Sequence, residues 1–181
     1  MSAHIGEYSM ELSQLIQALG DRERAVPASE FDANAPDARH CGIYSWWADV
    51  RARQLIGDAL GADSDSSIYD PAAPIYIGQT TQTLVHRVLC SHLDGIGKST
   101  LRTTLAAILG ATDSDPGTIV GSDMLSDWMR EHLEVAIVAI DDPKRFEKRA
   151  IRHHDPQLNM RHVSDPSTPP RVKLSELRRR L

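Results

Sequence analysis

Two short segments that each combine glycine, isoleucine and tyrosine most constrain the fold of this chain. Residues 42–47 read GIYSWW and residues 75–78 read IYIG, and both are apolar enough to form strands. Residues 134–140 (EVAIVAI) have the Val and Ile content of a buried strand. Segments with helical apolar spacing follow each of the three. The sequence therefore predicts a small α/β (α+β) layered domain, in which helices flank a central sheet of about three strands.

The apolar spacing also sets the expected helices. A helix over residues 6–19, ended by Gly20, forms an N-terminal extension that we expect to pack on the domain, with a dimer contact as the alternative. The other predicted helices span residues 49–60, 82–93, 99–109, 123–132 and 144–153. The expected division is an N-terminal helix and connector (1–39), a central domain (40–163) and a basic C-terminal tail (164–181), in which residues 174–180 can form a short helix.

Length and composition indicate a globular protein of the cytoplasm. The chain has 181 residues, which suits one domain with appendages. No stretch approaches the roughly 20 apolar residues that cross a bilayer, so no membrane partner is expected. The N-terminus lacks the pattern of a signal peptide. Cys41 and Cys90 have no metal-binding or redox spacing and are interpreted as reduced thiols.

The charge is unevenly distributed along the chain. Residues 143–181 hold 11 of the 20 Lys and Arg but only 4 of the 25 Asp and Glu, a net charge of +7. The residues before them have a net charge of −12. A basic segment can neutralise phosphates locally within an acidic protein. The alternative is a charged helix and a tail that are simply solvated.

An ordered set of residues carries a functional resemblance. It consists of Gly42-Ile43-Tyr44, Tyr76-Ile77-Gly78, Arg87, His92, Glu147 and Asn159. Over residues 40–162 this set resembles the GIY-YIG nuclease superfamily. The resemblance implies a metal-dependent nuclease that hydrolyses phosphodiester bonds with Mg²⁺ or Mn²⁺. Nucleic acid is then the expected partner, with DNA favoured over RNA and an endonuclease as the expected activity. A non-catalytic nucleic-acid-binding module and a protein-interaction domain are the alternatives.

The resemblance implies a role for each residue. Tyr76 is the expected general base, and Tyr44 orients the water or the phosphate. Arg87 binds the scissile phosphate with its planar guanidinium, and Arg87 and a metal are the expected sources of the positive charge that favours a phenolate. His92 assists from the same helix.

Two further roles concern the metal and the frame of the site. Glu147 is the expected sole protein ligand of a hydrated divalent cation, since Mg²⁺ commonly keeps several waters. Asn159 holds the site together by side-chain hydrogen bonds. Taken singly, each of these residues has an ordinary structural interpretation, such as a solvated helix glutamate.

The sequence departs from the resembled pattern in two places. Tyr44 and Tyr76 are separated by 31 residues, where the family usually has a compact hairpin. The interval from Arg87 to His92 is one residue longer than the common Arg-x3-His spacing, and His86 is the less favoured substitute.

Other residues are predicted to contact nucleic acid outside the reacting centre. Gly97-Lys98-Ser99-Thr100 precedes a helix but lacks the glycine spacing and the preceding strand of a P-loop. We expect phosphate contacts here and on the basic helix, from Lys98, Arg102, Lys148, Arg149 and Arg152. A simple helix-capping loop is the alternative for the segment before the helix. One ring of Trp46-Trp47 is expected in the core, and the other either packs or stacks on a base.

Overall fold

A four-stranded antiparallel sheet forms the centre of the molecule. The structure is a computed structural model that describes residues 10–112 and 121–181. The strands are β1 (Val26–Pro27), β2 (Gly42–Ala48), β3 (Tyr76–Thr80) and β4 (Leu133–Ala139), in the spatial order β1-β4-β2-β3. The predicted α+β class is confirmed, and the three predicted strands correspond to β2, β3 and β4. The two-residue β1 pairs with the edge of β4 and is too short for a pattern to reveal.

Six α-helices and one π-helix flank this sheet in the described part of the chain. They are α1 (Leu12–Gly20), α2 (Val50–Leu60), the π-helix (His86–Leu93), α3 (Thr100–Thr112), α4 (Ser122–His132), α5 (Pro143–His154) and α6 (Pro169–Arg178). Short 3₁₀ turns occupy Arg22–Arg24, Ala28–Glu30, Pro36–Arg39 and Ser67–Tyr69. None of the helices in the described ranges is long and apolar enough to cross a bilayer.

The two faces of the sheet carry two separate cores. Successive residues of β2 point to opposite faces, so Ile43 and Tyr44 enter different cores. Helices α1 and α5 cover the Ile43 face, where Leu15 and Leu19 of α1 are fully buried. The expected packing of the N-terminal helix on the domain is therefore observed. Residues 6–9 of that predicted helix lie outside the described residues.

Buried arginine hydrogen bonds fix the insertion between β2 and β3. Arg53 of α2 is 2% exposed and donates to the backbone oxygens of Ala48, Ile68 and Ala73. These bonds connect the end of β2 to the loop that leads into β3. The long insertion is thus an ordered layer, and β2 and β3 still pair from Gly42 opposite Thr80 to Trp46 opposite Tyr76.

The C-terminal segment is a folded part of the domain, which corrects its assignment as a tail. Helix α6 packs against α2 and α3. Its Arg171 is 1% exposed and donates to the carboxylate and the backbone oxygen of Asp155. Leu174 and Leu177 are buried in the core on the Tyr44 face. The segment that forms α6 is highly charged and follows several prolines. Its few apolar residues were too weak a signal to predict that it packs on the domain.

The predicted helix over residues 82–93 needs correction, whereas the packing interpretation of Trp46 and Trp47 is confirmed. The helix predicted over residues 82–93 is a π-helix from His86 to Leu93, with i→i+5 hydrogen bonds such as that from Asp94 N–H to Leu89 O. Trp46 and Trp47 are both fully buried, so neither ring is available to stack on a base. The Trp47 indole N–H lies 3.2 Å from the Ser45 hydroxyl, which satisfies it inside the core.

Candidate active site

A cleft of about 370 Å³ lies beside the paired strands β2 and β3. Tyr44 and Tyr76 line it from the strands, Arg87 from the π-helix and Glu147 from α5. Asn159 lines it from the segment after α5. Residues separated by more than 100 positions in the sequence thus converge on one cavity because the sheet brings the strands together and α5 packs across β3.

The glycine of the second motif makes room for the tyrosine of the first. Tyr44 and Gly78 are opposite each other in the antiparallel pair. A Cβ atom at position 78 would lie 2.5 Å from the Tyr44 hydroxyl oxygen and 2.7 Å from its Cζ atom. Real Cβ atoms do not approach other atoms so closely. The Tyr44 ring lies across position 78, so this position requires glycine for the two strands to pair as they do.

Two side chains of the π-helix hold the Tyr44 hydroxyl. His92 Nε2 lies 2.8 Å from it, and Arg87 Nε donates to it at 3.1 Å. The other ring nitrogen of His92 lies 2.7 Å from the hydroxyl of Ser99. The i→i+5 geometry of the π-helix places Arg87 and His92, five residues apart, on the same side of the helix. The extra residue in the Arg-to-His interval is thereby accommodated, and His92, not His86, contacts the site tyrosine.

Burial keeps both phenols and the imidazole in their neutral forms. Desolvation raises the pKa of Tyr44 to about 12, although Arg87 acts in the opposite direction. Burial raises the pKa of Tyr76 even further. The pKa of His92 lies well below its usual value, since its ring is fully buried and faces the positive charge of Arg87. The positive charge of Arg87 favours the phenolate of both tyrosines, but in the free protein the effect of burial is larger.

Tyr76 differs from Tyr44 in its access to the cleft. Its side chain retains 7% exposure, whereas Tyr44 is fully buried. Among the described residues, no hydrogen bond to the Tyr76 hydroxyl is formed, while that of Tyr44 is held on two sides. Of the two phenols, Tyr76 is therefore the one that is open to a water molecule in the cleft.

Glu147 supplies a carboxylate without a protein partner. It is half-buried, and no described residue forms a hydrogen bond or an ion pair with it. Burial raises its pKa above the ordinary value, and the nearby His162 and Arg87 partly offset this effect. The described residues contain no cluster of three or more metal-binding side chains. One unpaired carboxylate beside a cleft of about 370 Å³ fits a cation that keeps most of its waters, as Mg²⁺ does.

Asn159 completes the edge of the sheet. Its Oδ1 accepts from the backbone N–H of Ile77 at 2.9 Å, and its Nδ2 donates to the Ile77 oxygen at 2.8 Å. β3 is an edge strand, so these backbone groups have no strand to pair with on that side. Asn159 satisfies both of them, and this fixes the strand residue next to Tyr76.

A comparison with protein families decides what this arrangement is. A family model described as the GIY-YIG catalytic domain matches residues 42–180, well over half of the chain. The chain belongs to the GIY-YIG family. This is a nuclease family, and the recognition made from the tyrosine motifs is confirmed. The match extends beyond residue 162 and includes α6 in the GIY-YIG domain. Comparisons with curated proteins and with solved structures find no match.

The residues predicted to contact nucleic acid take different positions on the GIY-YIG domain. Lys98 is exposed and lines a groove next to the cleft, and its backbone oxygen accepts from Arg87 Nη1 at 2.8 Å. Lys148, Arg149 and Arg152 lie on the exposed side of α5, outside the lining of the cleft. Their contacts with a substrate stay a prediction.

Arg102 has a structural position. It is 8% exposed, and its guanidinium donates to the backbone oxygens of His92, Leu93 and Ser122 and to two serine hydroxyls. These bonds join the end of the π-helix to α3 and α4. The geometry does not favour the predicted phosphate contact, because Nη1 and Nη2 of Arg102 already donate to groups inside the protein.

Two charged or polar side chains that no sequence pattern indicated also line the GIY-YIG cleft. Arg178, at the end of α6, lines it, as does His162 after the Asn159 motif. His162 has a φ of 65°, an uncommon conformation for a residue other than glycine and one that often occurs at functional sites. Their spacing from the motifs carried no recognisable signal, since a local pattern cannot show that α6 folds back onto the cleft.

Proposed function

We propose that this GIY-YIG domain is a divalent-metal-dependent nuclease that hydrolyses phosphodiester bonds, with DNA as the favoured substrate and endonucleolytic cleavage as the activity. The observation that supports it is the convergence of two phenols, a guanidinium and an unpaired carboxylate on one cleft. Hydrolysis of a phosphodiester needs a proton acceptor for water and positive charge around the phosphate. The cleft provides candidates for both.

Tyr76 is the proposed general base. It is the phenol with access to the cleft, and a water beside it is within reach of a phosphate bound there. Tyr76 acts as the phenolate: it takes a proton from the attacking water while the water oxygen bonds to phosphorus, the P–O bond to the leaving oxygen breaks, and that oxygen takes a proton from solvent. Glu147 would hold a divalent cation, which would supply the positive charge that lowers the pKa of nearby hydroxyl groups and neutralises the phosphate.

Arg87 is the proposed ligand of the scissile phosphate. Nε donates to Tyr44 and Nη1 donates to the Lys98 backbone oxygen, so the guanidinium is fixed in orientation. Nη2 makes no hydrogen bond with the described residues and is free to bind a phosphate oxygen. A preorganised donor of this kind stabilises charge in the transition state without first having to reorient.

Tyr44 is proposed to orient the water or the phosphate, with His92 as its positioning residue. The neutral imidazole of His92 is held between Tyr44 and Ser99, at 2.8 and 2.7 Å. Ser99 also caps α3 by accepting from Arg102 N–H. The start of α3 thereby fixes the orientation of His92 and, through it, the Tyr44 hydroxyl.

The test is cleavage of labelled single- and double-stranded DNA and RNA with Mg²⁺ or Mn²⁺, and with EDTA as the metal-free control. Tyr76→Phe keeps the ring and removes the proton acceptor, so it should lower the rate by roughly 10²–10⁴-fold. Tyr69→Phe is the matched control, because its hydroxyl makes only a 3.5 Å contact with the Ala62 oxygen outside the cleft. It should cleave like the wild type.

Two results would change the proposal. Wild-type cleavage by Tyr76→Phe would transfer the role of base to Tyr44 or His92. The absence of metal-dependent cleavage of every nucleic acid tested would reject the enzyme and favour the non-catalytic binding module on the same fold.

A further inference from the structure

A second groove adjoins the cleft. It has a volume of about 640 Å³ and includes Lys98, Thr103, Ser122, Thr100 and Arg178 in its lining. Thr100 and Arg178 also line the cleft, so the two cavities meet at these residues. A strand bound in the cleft could therefore continue into this groove without leaving the protein surface.

The charge of the groove contrasts with that of the protein. The side chains that line it in the described part of the chain include Lys98, Arg102 and Arg178, but no Asp or Glu. The whole protein has a net charge of −5. A cationic groove without acidic side chains in an acidic protein suits an anionic ligand and would attract it by a local field.

Arg178 is the cation at the junction of the two cavities. It is half-buried, and its guanidinium forms no hydrogen bond or ion pair with any described residue. Its positive charge acts on Tyr76, where it opposes the effect of burial on the pKa of that phenol. Arg102, by contrast, uses its donors inside the protein. Arg178 therefore has its donors available for a ligand.

Helix α6 holds Arg178 in a defined place. Seven residues before it, Arg171 is fixed by Asp155, and Leu174 and Leu177 are buried in the core. A side chain presented by an anchored helix loses less conformational freedom on binding than one on a mobile tail. The helix that the sequence indicated as a basic tail is thus the element that brings a cation to the reacting centre.

We propose that the groove binds the phosphodiester backbone of the nucleic-acid strand that leaves the cleft, and that Arg178 binds the phosphate next to the scissile one. Lys98 binds the same strand further along the groove. This inference deepens the proposed function and rests on it for the identity of the ligand. It assigns to α6 a binding role in addition to its packing role.

The first experiment measures binding without cleavage. Fluorescence anisotropy of labelled single-stranded and duplex DNA, in EDTA and over a range of salt concentrations, compares the wild type with Arg178→Ala. We expect roughly tenfold weaker binding and a slope of log K against log salt that is smaller by about 1. Arg178→Lys should keep most of the affinity, since it keeps the charge.

Arg180→Ala is the matched control. It removes one positive charge two residues away, at an exposed position that lines neither cavity. Its affinity and salt slope should stay close to those of the wild type. Circular dichroism melting verifies that each variant is folded, and Arg178→Gln, which keeps much of the side-chain stem, replaces Arg178→Ala if the latter unfolds.

The second experiment separates this inference from the proposed function. Under cleavage conditions, Arg178→Ala should raise KM more than it lowers kcat, as expected for a contact made by both the bound substrate and the transition state. If both Arg178→Ala and Arg178→Gln bind and cleave like the wild type, the groove inference is overturned while the nuclease proposal stands. If the wild type never cleaves but loses affinity on Arg178→Ala, the inference stands and the nuclease proposal fails. No salt-dependent binding by the wild type would overturn the groove inference, and the cleavage assay alone would then decide the nuclease proposal.

Discussion

At the scale of single residues, Gly78 determines where the Tyr44 hydroxyl can lie. We predict that Gly78→Ala displaces the Tyr44 ring, because the added Cβ would lie 2.5 Å from its hydroxyl oxygen. A displaced ring would strain or break the hydrogen bonds that Arg87 and His92 of the π-helix form with the Tyr44 hydroxyl. Misplacement of a catalytic group by about 1 Å can cost roughly 10²-fold in rate, and we expect a loss of that order. The measurement is kcat/KM for cleavage.

The control for this prediction is Gly121→Ala. No atom of a described residue lies within 4 Å of a Cβ at position 121, which precedes α4 and lies outside the lining of the cleft. Its cleavage rate should match that of the wild type. Equal rates for the wild type and Gly78→Ala would show that the close approach of Gly78 and Tyr44 has no role in activity.

Glu147 gives a second residue-scale prediction, on the metal. Glu147→Gln keeps the shape and removes the charge, so cleavage should fall steeply, and excess Mg²⁺ or Mn²⁺ should restore only part of it. Binding of DNA in EDTA should be retained or should increase, because a negative charge has left the cleft. Glu30→Gln, at an exposed position outside the cleft, is the control. Full activity of Glu147→Gln would exclude this carboxylate as the metal ligand.

Residue identity alone predicted part of the site and could not predict the rest. The tyrosines, Arg87, Glu147 and Asn159 stand in an order that the family resemblance makes recognisable, and they do line one cleft. Lys98 and Arg102 looked equivalent because both are cations near a helix start. Their difference lies in burial, which depends on the serines of α4 that surround Arg102.

At the scale of elements, the π-helix explains how Arg87 and His92 reach the same hydroxyl although their spacing is one residue longer than usual. Local propensity does not distinguish i→i+4 from i→i+5 hydrogen bonding, so the apolar stripe of residues 82–93 predicted an α-helix. The extra residue between Arg87 and His92 was the only signal in the sequence. Such π-helical turns often occur at functional sites. Here the turn allows both side chains to reach the Tyr44 hydroxyl.

We predict that this helix tolerates deletion of Cys90. The deletion removes the residue by which an i→i+5 turn exceeds an i→i+4 turn, so the segment should become α-helical. Arg87 and His92 would then lie four residues apart, and residues at this spacing share a face of an α-helix. The variant should fold and should cleave the substrate. The measurements are circular dichroism melting and the cleavage rate.

Deletion of Thr103 is the contrasting case. Thr103 is exposed in α3, a regular helix, so its removal rotates the following residues by about 100°. Leu105 and Ile108, both fully buried, would then turn away from the core. This variant should unfold or melt far below the wild type. If deletion of Cys90 lowers the melting temperature as much as deletion of Thr103 does, the fold requires the π-helical turn and the prediction is wrong.

The strands show why some elements were predictable and others were not. β2 and β4 are long, fully or mostly buried and rich in apolar residues, so composition alone indicated them. β1 has two residues and exists only because it pairs with β4. α6 depends on the buried contact of Arg171 with Asp155, 16 residues away, and a charged residue in a basic segment predicts solvent exposure by default.

At the scale of the whole molecule, the fold separates an acidic body from a cationic site. The acidic residues lie mostly before residue 143, while Arg178 returns from the far end of the chain to the cleft. The net charge of −5 therefore says little about the partner. The distribution in space, which only the packing of α6 on α2 and α3 establishes, supports a nucleic-acid ligand.

The burial of a histidine within the site should make the stability of the whole molecule depend on pH. The pKa of His92 is well below its usual value in the folded protein because the ring is buried near Arg87. In the unfolded chain it returns to about 6.5. Between the two values the unfolded state binds more protons, so the free energy of unfolding falls as the pH drops below about 6.5. A single such group contributes a slope of at most about 1.4 kcal/mol per pH unit.

Urea unfolding of the wild type and of His92→Gln between pH 5 and pH 8 measures this dependence. His92→Gln should be less stable at pH 8, because it loses the contacts with Tyr44 and Ser99, but its stability should fall less on acidification. His153→Gln is the control, since His153 is exposed on α5, and it should keep the wild-type slope. Burial also lowers the pKa of His154. Because His154 is still present in His92→Gln, the stability of that variant should keep a smaller dependence on acid pH. An acid slope in His92→Gln equal to that of the wild type would show that the neutral imidazole behind Tyr44 is not what makes the fold sensitive to acid.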